Sequence, residues 1–217
     1  TNLQETVSGM GEGGASSALR QLQGLFHQVL EEAQVGPLSS YTPFLAYGFH
    51  PVSAGIPWLP GGCSVGIPAN YNDTEQDGVG IVDRVLMVNG REVDWRSDAG
   101  SHLKETLTLS VEAKKFSLAR EAFTAHSNSP IIQASVAPVW LWASASPAGL
   151  YNVVVAVLGL TGYFLCSDSV NQWLDYRADR MVAAVSKSYA VGGVEFYDKI
   201  LARNRILRVL MGHKERP

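Results

Sequence analysis

From Ile131 to Cys166 the chain carries no Asp, Glu, Lys, Arg or His. The run is broken midway by Ser144-Ala145-Ser146-Pro147-Ala148-Gly149, so it reads as two apolar helical limbs joined by a tight turn. Each limb falls a little short of the ~20 residues that an untilted helix needs to cross a ~30 Å hydrocarbon core. Backbone groups inside lipid must be satisfied within the chain, and a helical hairpin does this on the way in and on the way back. The alternative is a buried hairpin of a soluble protein. Asn152 and Ser144 weaken the membrane reading, whereas Trp140, Trp142, Tyr151 and Tyr163 suit the interfacial zones where amphipathic rings collect. Membrane insertion is the expectation of the two.

At 217 residues there is room for one domain with a real core beside such a hairpin. The net charge is -3 and no basic cluster is dense enough to track a phosphate backbone, which argues against nucleic acid as a partner. Cys63 and Cys166 make neither a disulfide framework nor a C-x-x-C site. The first residue is Thr1, and nothing near it has the charged-then-apolar order of a cleavable signal, so the chain is expected to be trimmed at both ends.

Residues 1–15 are polar and glycine-rich, an expected flexible N-terminal segment. Residues 16–129 read as an α+β globular part, 130–167 as the membrane hairpin and 168–217 as C-terminal helices packing on the globular part. Leu19, Leu22, Leu25, Phe26, Val29 and Leu30 fall at helical spacing after Ser16 or Ser17, and Gly36-Pro37 closes that helix. Tyr41 to Phe49 and Cys63 to Tyr71 have strand composition, with HPVSAGIPWLPGG between them as a shaped loop. Val79 to Val88 and Arg91 to Trp95 flank Asn89-Gly90, a strong two-residue turn signal. Together these predict a small antiparallel sheet of three to five strands.

Ser97 begins the helical remainder, with His102, Leu103, Leu107 and Leu109 in a first short helix, and Ser110 is the expected N-cap of the next, SVEAKKFSLAREAFTAH. Beyond the hairpin, Asp168 to Tyr189 is predicted as one amphipathic helix, separated by Gly192-Gly193 from another over Val194 to Leu210. Lys114, Lys115 and Arg120 precede the hairpin and Arg177, Arg180 and Lys187 follow it, so its uncharged turn is the part expected to cross. Gly61-Gly62 and Gly192-Gly193 lack the spacing of phosphate-cradling loops, and no nucleophile elbow is present. His27 and His50 read as packing or surface histidines. Trp58, in the Pro-Trp-Leu-Pro loop, is either an anchor for a partner or membrane surface, or part of a loop folded back over the sheet.

The strings PVSAGIPWLPGGCSVGIPANY from Pro51, VDWRSDAG from Val93, LTLSVEAKKFSLAREAF from Leu107 and GGVEFYDKIL from Gly192 resemble the transmembrane protein 177 family. The likeness covers Phe49 to Leu210. It implies a multipass protein of the mitochondrial inner membrane that supports cytochrome c oxidase biogenesis, associating with newly made subunit 2 and its assembly chaperones. It implies no enzymatic activity and no cofactor.

A more distant resemblance is to HtpX-like and CAAX-prenyl membrane zinc metallopeptidases. Ser53-Ala54 through Leu59-Pro60-Gly61-Gly62 resembles their strand motif, the helix of Phe116 to His126 stands at the metal helix, and Asp175 to Asp179 stands at the last motif. In H-E-x-x-H, two histidines one helical turn apart bind zinc and the glutamate acts as general base. Here the string is Arg120-Glu121-Ala122-Phe123-Thr124, so Glu121 remains while Arg120 and Thr124 replace both imidazoles. Asp175 stands for the third ligand and Asp179 for a residue behind it. His126 lies too far around the helix to substitute. Arg120 cannot deprotonate to become a ligand, and an ion pair with Asp175 or Asp179 across two helices is expected in place of zinc. The plain alternative for these four charges is a set of solvated or paired helix residues.

The reading is therefore an α+β domain with a small antiparallel sheet and four or five helices, interrupted by an apolar transmembrane hairpin, metallopeptidase-like without the zinc site. Trp58, Trp140 and Trp142 are the candidate partner or membrane contacts. The expected role is non-catalytic assembly or stabilisation of oxidase subunit 2, with subunit 2, its chaperones and membrane lipid as partners. A membrane zinc metallopeptidase with an atypical ligand set is the rival.

Overall fold

The computed structural model describes residues 12–46, 48–72, 87–88, 91–127, 129–144 and 151–211, with side-chain surroundings for 20–46, 48–71, 93–127, 131–139 and 160–211. Among the described residues there are six α-helices. Helix α1, Glu12–Ala33, buries Leu22, Phe26, Val29 and Leu30 on one face. It ends before Gly36-Pro37, because Gln34 takes a left-handed φ of 52° and the amides of Gln34 and Val35 turn back to the carbonyls of Glu31 and Leu30. That is the usual reversal at a helix C-terminus, here without glycine.

Strands β1 (Tyr41–Ala46), β2 (Val52–Gly55) and β3 (Cys63–Pro68) form one sheet in the order β1-β3-β2. Strand β3 pairs antiparallel with β2 and parallel with β1, so the sheet is mixed rather than antiparallel. The correction has a local cause. The stretch expected as an irregular loop contains β2, and by hairpin return β2 lays β3 between itself and β1. Strands β4 (Met87–Val88) and β5 (Arg91–Glu92) pair separately as a two-stranded ribbon, as the Asn89-Gly90 signal implied. The expected extension of β4 back to Val79 lies outside the described residues.

Helix α2, Asp98–Leu107, begins after Ser97, whose hydroxyl accepts from the Gly100 amide, and helix α3, Val111–His126, starts where its cap predicts, the Ser110 hydroxyl accepting from the Ala113 amide. Helix α3 is buried around most of its circumference, with Ala113, Phe116, Leu118, Ala119, Ala122 and Ala125 each nearly inaccessible. A helix with apolar residues on several faces has to sit inside the fold. The core joins α1, the inner face of the sheet, α3 and parts of the last two helices; a smaller cluster gathers Val93, Leu103 and Leu107.

The expected transmembrane hairpin is the largest correction. Its limbs are α4, Ser129–Ser144, and the start of α5, Tyr151–Ala183. Among the described residues no helix is long and apolar enough to cross a membrane. Helix α4 has 16 residues, about 24 Å at 1.5 Å per residue, and contains Pro138, which removes a backbone donor inside the helix. The second limb is not a separate element. It continues without a break into the segment expected as an independent helix from Asp168, where Leu174, Ala178 and Val182 are buried against the domain. Two of the flanking cations that suggested an orientation are engaged within the fold: Lys115 bonds Glu32 and Arg120 bonds two aspartates.

The chain breaks at 184–186, and α6 runs through Lys187–Leu210 with Ser186 as its N-cap. Gly192-Gly193 therefore does not separate two helices. A Cβ on Gly192 would lie 2.3 Å from the Glu112 carbonyl oxygen and one on Gly193 would lie 2.7 Å from the Phe116 ring. The pair lets α6 press directly on the first turns of α3. Gly192→Ala is predicted to lower stability by about 1–3 kcal/mol through overpacking. By contrast, Gly24→Ala, in helix α1 with no atom within 4 Å of its Cβ, should raise stability by about 0.5–1 kcal/mol. Thermal unfolding of the two variants tests the pair; a melting temperature unchanged by Gly192→Ala would refute the close approach.

Candidate functional site

Successive turns of α3, α5 and α6 bring four of the polar residues together. Arg120 on α3 donates from Nε to Asp179 Oδ1 and from a terminal nitrogen to Asp175 Oδ1, both at 2.7 Å. Asp175 and Asp179 lie one turn apart on α5, so one planar guanidinium reaches both. Asp179 accepts a third bond at Oδ2 from the Tyr197 hydroxyl of α6, also at 2.7 Å. The arrangement ties three helices through one carboxylate.

Burial pushes the Arg120 guanidinium down, but Tyr197, Asp179 and Asp175 more than offset this and hold it above its ordinary value. The Tyr197 phenol is pushed up to about 12, by burial first and by its bond to Asp179 second. Both groups keep their protons at neutral pH, so within the cluster they act as hydrogen-bond donors to the two aspartates.

Glu121, the next residue, faces elsewhere. Its Oε1 accepts from the Ser53 hydroxyl of β2 at 2.6 Å. Burial holds its carboxyl above the usual glutamate value, partly countered by the Ser53 hydroxyl, the Arg120 charge and the Ser53 backbone. The Thr124 hydroxyl donates to the Arg120 carbonyl of its own helix at 2.9 Å. His126 sets Nδ1 3.4 Å from the Tyr41 hydroxyl and packs beside Gly36. The positions standing at the peptidase motif thus divide: Arg120, Asp175 and Asp179 converge, while Glu121, Thr124 and His126 do not join them. Among the described residues, no group of three or more His, Cys, Asp or Glu is placed to hold a metal ion.

Of the tryptophans named from sequence, Trp58 lies in the turn between β2 and β3 and is 63% exposed. Trp140 and Trp142 belong to α4, and their side chains lie outside the described residues. Sequence reasoning missed Tyr197, because nothing in linear spacing ties it to Asp179. His50, read as a packing or surface histidine, is exposed with its ring edge-on to Phe196, but its basic neighbour was not legible. The nearly buried Arg203 of α6 sets a guanidinium nitrogen 2.5 Å from His50 Nε2, with its charge over the Phe49 ring. Partial burial first, and the Arg203 charge second, lower the His50 pKa to about 4.

Three outcomes follow from this geometry. Arg120→Ala should cost about 1–2 kcal/mol, since it strands the half-buried Asp179, while Asp175→Asn, at the exposed end of the fork, should cost about 0.5 kcal/mol or less. A double-mutant cycle read by urea unfolding checks the ranking, which fails if Asp175 proves the costlier loss. Between the ordinary glutamate value and the higher native one, the folded state binds more protons than the unfolded state at Glu121, so this group makes stability fall as pH rises. Glu121→Gln, which keeps an acceptor for Ser53, should flatten that fall and raise the melting temperature at neutral pH. His50 works the other way: its stabilising contribution is present above about pH 6.5 and is lost as pH falls toward 4. His50→Gln should remove that acid-side loss in melting curves taken across the same range.

No family model matches the chain, and no solved structure matches it. Whole-chain relatives do. The chain is 62% identical to Transmembrane protein 177 of Xenopus laevis over 96% of its own length and 73% of that protein. It is 43% identical to Transmembrane protein 177 of Danio rerio, covering 94% of this chain and 71% of the relative. With the Homo sapiens protein of the same name the identity is 41%, over 88% of this chain and 66% of the relative. On those identities and coverages, the chain belongs to the Transmembrane protein 177 family.

Proposed function

We propose that this chain acts as a non-catalytic, membrane-associated assembly or stabilising factor for cytochrome c oxidase subunit 2. In this reading it works at the mitochondrial inner membrane by binding subunit 2 and its assembly chaperones. The observation that carries the non-catalytic part is the occupation of the polar cluster. Arg120 places a fixed positive charge between Asp175 and Asp179, and the remaining Asp179 oxygen accepts from Tyr197. Residues so committed hold α3, α5 and α6 in register, giving a rigid body suited to binding. Membership in a family whose relatives are named as transmembrane proteins supports the membrane part of the reading.

The zinc-peptidase rival draws no support from this site, because a guanidinium within 2.7 Å of both aspartates repels the divalent cation they would have to bind. The test is pulse-labelling of mitochondrial translation products followed by isolation of the full-length protein. Newly made subunit 2 should be recovered with it, above the level found with an unrelated inner-membrane protein. Recovery no better than that control sinks the reading. Elemental analysis of the same preparation, made without chelator, should find no stoichiometric zinc; a near-stoichiometric content would reinstate the rival.

A further inference from the structure

The sheet has a second, outward face. Register places Phe44 of β1 and Val52 of β2 on either side of Gly66 in the central strand. A Cβ on Gly66 would lie 2.9 Å from the Phe44 ring and 2.8 Å from a Val52 methyl, so the two side chains close over the bare glycine as one patch. Both are exposed, at 42% and 50%. Strand β2 runs from Val52 to Gly55 and leads within a few residues into Pro57-Trp58-Leu59-Pro60, where Trp58 and Leu59 are also exposed. Neither Tyr41–Ala46 nor the stretch from Pro51 to Tyr71 contains any Asp, Glu, Lys, Arg or His.

We propose that this face of the sheet, with the Trp58 turn, rests on the interfacial zone of a lipid bilayer. The inference builds on the membrane association in the reading above and assigns it a contact surface. Four large apolar side chains reach solvent from strands and a turn that bear no charge. A protein-binding patch carries a polar rim, commonly charged, around its apolar centre; beside this one the strands supply only the paired Thr42 and Ser64 hydroxyls and no charge. The boundary between headgroups and acyl chains favours tryptophan and accepts apolar groups to a depth of about 5–10 Å, and it needs no charged partner. The binding is therefore to neutral phospholipid, unlike an electrostatic attachment, which screening by salt would release.

The test uses the full-length protein and phosphatidylcholine vesicles without anionic lipid. Benzoylphenylalanine replaces Trp58 or Phe44, or Gln28 on the exposed side of α1 as control, and samples are floated and irradiated. Lipid adducts at positions 58 and 44 but not at 28, with flotation unaffected by salt, are the expected result. Flotation of the unsubstituted protein without lipid adducts at 58 and 44, or with protein adducts alone, overturns the proposed surface and leaves the membrane reading standing. Failure of the unsubstituted protein to float overturns both. A second measurement guards against a misfolded variant: quenching of tryptophan fluorescence by brominated phosphatidylcholine should drop in Trp58→Phe, and quenching that is unchanged counts against the proposal.

Discussion

The fold depends on how closely α6 can approach α3. Backbone meets backbone where Gly192 faces the carbonyl of Glu112, and the neighbouring Gly193 lies flat against the Phe116 ring. Small residues on α3 make the same approach possible on its other sides: Ala113, Ala119, Ala122 and Ala125 are all buried. A helix so enclosed has nowhere to put a polar group except against a partner. Polar residues on its enclosed faces are accordingly paired: Ser117 with Tyr71, Lys115 with Glu32, Arg120 with Asp175 and Asp179. Glu32 in turn accepts from Tyr189 of α6, so the helices touching α3 are also tied to one another.

This enclosure explains why a string standing at a metal-helix motif does structural work here. A half-buried guanidinium is costly unless its donors are used, and Arg120 uses them on two carboxylates of a neighbouring helix. The same carboxylates would be the natural acidic ligands in the rival reading. Once the charge between them is positive and covalently fixed, the site holds helices rather than a cation.

Much of the local structure was legible in the sequence. Ser97 and Ser110 start their helices because a hydroxyl that accepts an amide is a local device, independent of the rest of the fold. The Asn89-Gly90 signal marked a strand pair for the same reason. Misreadings arose where a distant contact overrode the local preference. Gly192-Gly193 looked like a break, but α6 continues through it because the glycines fit against α3. Three prolines and three glycines made 50–62 look irregular, yet Val52 to Gly55 forms a strand once β3 supplies its hydrogen bonds. The apolar run read as membrane-spanning because hydropathy ignores continuity; its second limb is the start of α5, which extends past its apolar half into a face bound to the core.

By itself the sequence determined the starts of α2 and α3, the amphipathic face of α1, the α+β class and the kinship with the Transmembrane protein 177 family. It also implied that Arg120 would seek an aspartate on the later helix. Only the tertiary structure decided that Asp175 and Asp179 are both bound, that Tyr197 completes the cluster, that Glu121 turns away to Ser53, and that β1 runs parallel to β3. The reason is physical. Caps and periodicity act over one or two turns of chain, whereas these contacts join residues tens of positions apart and exist only once α3 is enclosed.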